Sequence, residues 1–302
     1  MLKVGIIGLG DIAKKAYLPV LSTRKEIEFH ICSRNEASLR QAALHYRFEH
    51  LHQSVEALIA AKPECAFVNT ATDAHYHVVR QLLENGIHVY VDKPITMHYH
   101  QSKELVELAE SKQLTLMVGF NRRYAPVYQR LKALSHPTMI VMQKNRLGLP
   151  DELRRFVVED FIHVVDTLRY LFPCPIQQLL VNGMLKNDLL HQVTIQFIAA
   201  SGETAIGIMN RDGGTTEEKV EVMSPIEKRV AYNVSELYIH KNKDITREGE
   251  NDWQSTLSKR GFDSIIDDFL NAIRTKGATK ISARDALITH EICETIVERL
   301  LA

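Results

Sequence analysis

The chain opens with Val4-Gly5-Ile6-Ile7-Gly8-Leu9-Gly10-Asp11-Ile12-Ala13, in which a short apolar run meets a Gly-x-Gly-x-x-Ala turn and a helical pattern follows. No other feature constrains the fold as strongly. A strand closed by such a turn and continued by a helix begins a βαβ unit, and crossover helices make neighbouring strands parallel. The first glycine permits the tight turn, the second lets a phosphate approach the backbone, and Ala13 is small enough for close helix–strand packing. Free N–H groups at the helix start then receive phosphate oxygens. Gly8, Gly10, Asp11 and Ile12 are therefore expected to bind a dinucleotide.

The 302 residues suffice for about two domains. Apolar runs at Lys3-Gly8, Ile27-Cys32, Cys65-Asn69, His88-Val91 and Thr115-Val118 read as strands. Helical patterns lie between them, at Ile12-Thr23, Glu36-Tyr46, Ser54-Ala61, Ala74-Asn85 and Tyr99-Ser111. Asn35 reads as an N-cap, and Asn85-Gly86 as a helix stop. After Asn121 the pattern changes. Pro126-Leu134 and Glu159-Leu171 read as helices. Met139-Arg146, Leu179-Leu185, Gln192-Ala199, Glu203-Met209, Lys219-Val222 and Glu236-Ile239 read as strands. Two helices, Gly261-Thr275 and Ala283-Leu301, close the chain. The expected fold class is α/β: an N-terminal Rossmann NAD(P)-binding domain over 1–121, then a C-terminal α+β domain over 122–302 with an open antiparallel or mixed sheet for substrate binding and oligomerisation.

The end of the second strand sets cofactor preference. An NAD site usually places Asp or Glu there for the ribose hydroxyls. Here the residues are Cys32-Ser33-Arg34-Asn35. A hydroxyl followed by a guanidinium suits a 2′-phosphate, so Ser33 and Arg34 favour NADP(H), with NAD(H) as the alternative.

Tyr90-Val91-Asp92-Lys93-Pro94 ends a later strand of the same sheet. Hydride transfer at an alcohol carbon requires a proton to move on the substrate oxygen. Lys93 can donate that proton in reduction and, as a neutral amine, accept it in oxidation. Asn121 and Arg122 stand at the carboxyl edge of the sheet, where ligands bind in open α/β folds. Asn121 suits a cofactor carboxamide or the substrate. Arg122, Arg123 and Tyr124 suit either a polyol or acidic group, or an internal salt bridge with a packed tyrosine. His163 and Asp166 are three apart and share a helix face.

These motifs, in this order, resemble the Gfo/Idh/MocA oxidoreductase family over essentially the whole chain. Asn69-Thr70-Ala71-Thr72-Asp73-Ala74-His75 resembles the family's loop after the fourth strand. Asp92-Lys93-Pro94 resembles its Glu-Lys-Pro signature, and Val118-Gly119-Phe120-Asn121-Arg122-Arg123-Tyr124 the segment leaving the nucleotide domain. Asp160-x-x-His163-Val164-Val165-Asp166 and the stretch Trp253 to Phe262 look closest to the MviM-like branch. The resemblance implies cofactor contacts from Thr70, Ala71, His75, Asp92, Lys93 and Asn121. It implies His163 as proton relay or substrate ligand and Asp166 as substrate ligand, completing a catalytic set with Lys93. Arg122, Tyr124, Glu159 and Asp160 join Lys93 and His163 as substrate contacts. The implied reaction is hydride transfer between nicotinamide and a sugar, inositol or related polyol or carbonyl compound. Two other readings stand beside it: a non-catalytic dinucleotide-binding regulator, and a glycosidase-type enzyme that retains NAD. Asp92 replaces the family Glu, Glu159 stands where the family helix carries Asp, and Phe161 replaces a common Gly.

Lys+Arg and Asp+Glu both number 37. That balance argues against nucleic-acid or membrane-surface partners. No apolar run is long enough for a bilayer, and no signal peptide precedes the first strand. Cys32, Cys65, Cys174 and Cys293 are unpaired in spacing and read as small hydrophobes of a cytoplasmic protein. His75/His77 and His98/His100, two apart, are not natural chelates on a helix, and no cluster has zinc spacing, so no metal is expected. The family's open second-domain sheet often packs on a partner subunit, which implies a homo-oligomer, most simply a dimer.

Overall fold

The structure is a computed structural model describing residues 1–249 and 253–302. The chain forms two compact units, Met1–Gly119 with Phe262–Ile288, and Phe120–Gly261 with Thr289–Ala302.

In the first unit, β1 (Leu2–Ile7), β2 (Ile27–Cys32), β3 (His50–His52), β4 (Cys65–Val68), β5 (His88–Val91) and β6 (Leu116–Val118) form one sheet in the order β3-β2-β1-β4-β5-β6. All its pairings are parallel. β4 is buried throughout, as a strand covered by helices on both faces must be. Strand order reverses between β1 and β4, and this switch point is where a ligand crevice forms. Gly8 turns the chain out of β1 with φ +89°, and a Cβ there would lie 2.7 Å from the Asn69 carbonyl carbon. The next helix starts with the Lys14 N–H donating to the Gly10 carbonyl at 3.1 Å. It continues through a π-helical turn, Ala13–Tyr17, into Leu18–Leu21. Asn35 and Ser54 cap the helices Glu36–Tyr46 and Val55–Ala60.

Two features of this unit differ from the sequence expectation. β3 was not expected, because His50-Leu51-His52 is too short and polar to show a strand pattern. The division at residue 121 also assigns Phe262–Thr275 to the second domain, whereas this helix packs with the first unit. Phe269 meets Phe67 and Tyr90 edge-on, Phe262 meets Tyr17, and Arg24 pairs with Asp263 and Asp267. Its amphipathic pattern predicted a buried face but not which sheet would bury it.

The second unit is built on β7 (Met139–Asn145), β8 (Gln178–Lys186), β9 (Leu189–Ile198), β10 (Thr204–Asn210), β11 (Glu217–Met223), β12 (Lys228–Tyr232), β13 (Glu236–Lys241) and β14 (Asp244–Gly249). The order is β14-β13-β12-β11-β7-β10-β9-β8, antiparallel except for the β7/β10 pair. β12 and β14 are further additions to the expected strands. Helix Ile162–Leu171 lies against the sheet where Gly207 leaves room, since a Cβ there would approach Val164 and Leu168 to 2.8 Å. Leu300, on helix Ala283–Leu301, packs over Gly183 of β8, as expected for that helix and the β-rich block. Among the described residues no helix is long and apolar enough to cross a membrane.

Candidate functional site

A cleft of about 720 Å³ opens at the carboxyl edge of the first sheet. Gly8, Gly10, Ser33, Arg34, Thr70 and Ala71 line it, which brings six of the sequence-expected cofactor residues together. A Cβ on Gly10 would meet nothing within 4 Å, so the turn leaves open space for a ligand. Asp11 and Ile12 start the helix there; the Asp11 carboxylate turns to Lys15, 2.9 Å away, leaving its backbone N–H as the useful group. Asn69, which the sequence reading placed in the loop but not in the site, is 2% exposed. Its Nδ2 and Oδ1, and Thr70 Oγ1, meet no hydrogen-bond partner among the described residues. Buried polar atoms left unpaired cost about 1–3 kcal/mol each, so these groups suit a polar ligand lodged in the cleft. With the open glycine turn, they fit the phosphates and ribose of a dinucleotide.

Arg34 is exposed at the cleft wall, and Ser33 Oγ accepts from the Asn35 N–H at 3.2 Å. No acid ends β2. Glu56 lines the cleft, but hydrogen bonds from Gln81, its own backbone and Ser54 hold its carboxyl below the ordinary value.

Lys93 follows β5 and is half-buried. Its loop is anchored on both sides. His75 stands between two carbonyl oxygens, with Nδ1 2.8 Å from Pro94 and Nε2 3.1 Å from Thr70. This histidine thus ties the cleft loop to the lysine loop. Asp92 Oδ1 accepts from the Tyr17 hydroxyl at 2.7 Å, and Tyr17 and Tyr90 oxygens are 3.3 Å apart. Burial, then the neighbouring Asp92, pushes the Tyr17 phenol well above its ordinary pKa, so it stays a donor. Asp92 Oδ1 is thus held from within the protein, at the strand end that carries Lys93.

In the second unit the expected substrate residues form a connected ionic network. Arg122 donates Nε and Nη2 to the two oxygens of Glu218, each at 2.8 Å, and the Tyr128 hydroxyl donates to the same carboxylate at 2.6 Å. Burial opposes the Glu218 charge, but Arg122, with Lys144 and Tyr128, outweighs it and holds the carboxyl at about 2. Arg122 Nη1 lies 2.8 Å from His163 Nδ1. A guanidinium only donates, so His163 Nδ1 accepts and its ring proton is on Nε2. Asn121 donates to the Arg260 carbonyl at 2.8 Å, and Gly261 lets the chain pass so close that a Cβ would lie 2.4 Å from the Asn121 oxygen. Arg123 chelates Asp166, which also accepts from Thr289 at 3.0 Å. Asp160 accepts from Lys144 and, at 3.1 Å, from Arg146. Burial opposes its charge, yet these cations keep the Asp160 carboxyl far below the carboxylate range. Burial brings Lys144 down to about 7, against the upward pull of Asp160.

Asn121, Arg122, Asp160 and Asp166 use their polar atoms inside the protein, and Asp166 is 1% exposed. Tyr124 is buried as well, and Phe161 lies wholly in the core. Glu159 is half-exposed on a π-helical turn, Phe156–Phe161, that precedes the α-helix bearing His163. Such turns are frequent at functional sites. Glu218, Tyr128 and Lys144 were missed. Their link to residues 121–163 is tertiary, and a lone carboxylate in a β-rich stretch gives no local signal. The first unit also groups Glu28, His30 and His50, with ligand atoms within 4.8 Å of one another. The cluster depends on β3, whose three residues carry no strand pattern in the sequence.

Residues 2–120 match an oxidoreductase family with an NAD-binding Rossmann fold, and residues 126–244 match a YceM-like C-terminal domain. The chain is 30% identical to an oxidoreductase named YceM of Salmonella typhimurium, over 98% of this chain and 97% of that one. The crystal structure of the MviM dehydrogenase from Clostridium difficile superposes with a TM-score of 0.94 at 30% identity, covering 99% of each chain. The D-xylose 1-dehydrogenase (NADP(+)) 2 of Haloferax volcanii is 27% identical over 43% of this chain and 40% of its own.

Proposed function

The chain belongs to the Gfo/Idh/MocA family of oxidoreductases, and from that premise we propose that it uses NADP(H) to reduce a carbonyl, or oxidise a secondary alcohol, on a sugar, inositol or related polyol. The observation that carries this reading is the cleft itself: an open glycine turn, unpartnered buried atoms on Asn69 and Thr70, and a 2′-phosphate-type wall of Ser33 and Arg34 without an acid at the strand end.

Asn69, Thr70 and the N–H groups of Asp11 and Ile12 hold the dinucleotide. Arg34 pairs with the 2′-phosphate. When bound, the nicotinamide supplies or accepts the hydride at the substrate carbon. Lys93 gives a proton to the carbonyl oxygen in reduction and takes the hydroxyl proton in oxidation. His75 and Tyr17 keep its loop in place. His163 presents an Nε2–H donor to a substrate oxygen, since Arg122 fixes Nδ1 as the acceptor. Glu159 contacts a polyol hydroxyl. Asp166 and Asp160 position the helix that carries His163 and Glu159.

The test is thermal melting of cofactor-stripped protein with NADPH, NADP, NADH and NAD, followed by a turnover screen of carbonyl sugars and polyols. Ligand at a hundred times its dissociation constant adds about 2.7 kcal/mol, a rise of several degrees. We expect that rise with the phosphorylated pair, and turnover with at least one polyol or its ketone. Melting unmoved by all four would overturn the reading. A rise without turnover would favour a regulatory dinucleotide-binding protein.

A further inference from the structure

β3 joins the sheet only through β2, in the register His30↔His50 and Cys32↔His52. Side chains two apart on a strand share a face. Glu28 and His30 of β2 therefore stand on the same side as His50 and His52 of β3. The sequence shows only Glu-x-His and His-x-His, 20 residues apart; the parallel pairing turns them into one cluster.

The geometry of the cluster is specific. His30 Nε2 lies 2.7 Å from Glu28 Oε1, and His50 Nε2 lies 3.8 Å from the same oxygen. The His30 and His50 rings stack, with centroids 4.4 Å apart and planes 10° from parallel. Ligands bound to one tetrahedral zinc at ordinary bond lengths stand about 3.4 Å apart; the 2.7 and 3.8 Å spacings bracket this, and the exposed His50 ring has to turn out of the stack to aim its Nε2 at an ion. On its other side, His30 Nδ1 is 2.8 Å from His52 Nε2. Without an ion, Nε2 carries the proton that it donates to the Glu28 carboxylate, and Nδ1 accepts from His52; an ion at Nε2 displaces that proton and leaves an Nδ1–H to donate to His52 Nε2, the outer partner of a metal-bound histidine. His30 is 4% exposed, while His50 is exposed and gives an ion a path in. Among the described residues, the cation touching the cluster is Lys3, whose Nζ lies 3.6 Å from Glu28 Oε1 and also donates to the Ala61 carbonyl. It can keep the latter contact when Glu28 turns.

We propose that Glu28, His30 and His50 bind a zinc-type divalent transition metal, with His52 as the outer partner of His30. Two imidazoles and a carboxylate form a borderline donor set that favours Zn²⁺ over Mg²⁺ or Ca²⁺ and leaves a fourth position for water. The site is separate from the proton-moving machinery. Its effect is to staple an edge strand of three residues to β2. Both strands run directly into the cleft wall, β2 into Ser33 and Arg34 and β3 into Gln53 and Ser54. A metal here braces the side of the cleft that receives the adenosine end of a dinucleotide.

The test is calorimetric titration of the full-length, chelator-treated protein with zinc chloride, and a parallel titration with magnesium chloride. We expect one zinc per chain at micromolar affinity or tighter, a melting temperature raised by several degrees, and no magnesium binding in that range. His50→Ala and Glu28→Gln, both at accessible positions, should weaken zinc at least thirtyfold with the fold intact by circular dichroism. A His98→Ala/His100→Ala double variant should bind as the parent does. No zinc binding by the parent, unchanged binding in the Glu28 and His50 variants, or loss of binding in the His98/His100 variant would each overturn the assignment.

Discussion

Replacing Glu218 by Gln tests the ionic network that orients His163. Glu218 is 7% exposed and accepts two hydrogen bonds from Arg122 and one from Tyr128. Its carboxyl sits at about 2 instead of the ordinary 4.5. A folded-state pKa below the unfolded value means that ionisation of Glu218 stabilises the fold above the unfolded value. That contribution is lost as pH falls toward 2. The difference corresponds to about 3 kcal/mol at pH 7. Removing one partner of a buried pair typically costs about 3–5 kcal/mol, which agrees. Glu218→Gln should therefore lose about 3 kcal/mol at pH 7, or about 6–12 °C in Tm for a unit of this size. About 2 kcal/mol of the gap between parent and variant should vanish between pH 6 and pH 3. Urea unfolding followed by far-UV circular dichroism across that range measures both quantities. A variant within 1 kcal/mol of the parent at pH 7, or a gap that does not shrink with acid, would refute the reasoning.

Gly8→Ala forces a Cβ to 2.7 Å from the Asn69–Thr70 backbone at φ +89°, and should lower stability by more than about 1 kcal/mol and abolish dinucleotide-dependent melting shifts. Arg34→Ala should weaken NADPH about tenfold or more and leave NADH within about twofold, read by fluorescence titration, because one charge-assisted contact contributes about 1.5–3 kcal/mol. The β8–β9 hairpin exposes Leu180, Met184, Leu185 and Leu189, and light scattering at micromolar concentration should return a dimer; a monodisperse monomer would contradict that.

The parts of the fold legible in the sequence are those with strong local physics. The Gly8–Gly10 turn, the buried runs of β1 and β4, and the Asn35 and Ser54 caps each follow from a few adjacent residues. β3, β12 and β14 escaped because they are short or polar, and only the sheet beside them makes them strands. Helix Phe262–Thr275 was read correctly as a helix but assigned to the second domain, since amphipathicity reveals a buried face without its partner. The site follows the same division. Gly8, Arg34 and Thr70, which line the cleft, stand in local motifs. The pairing of Arg122 with Glu218 joins residues 96 apart, and that of Arg123 with Asp166 joins residues 43 apart. Both emerge only when the second unit folds.

In the proposed reaction Lys93 moves the proton while the glycine cleft holds the cofactor. Lys93→Met tests it most directly, with steady-state turnover of a substrate from the polyol panel measured beside NADPH affinity. kcat should fall by about 10²–10⁴-fold, with NADPH affinity unchanged within about threefold. A Lys93→Met protein that keeps full turnover would contradict it.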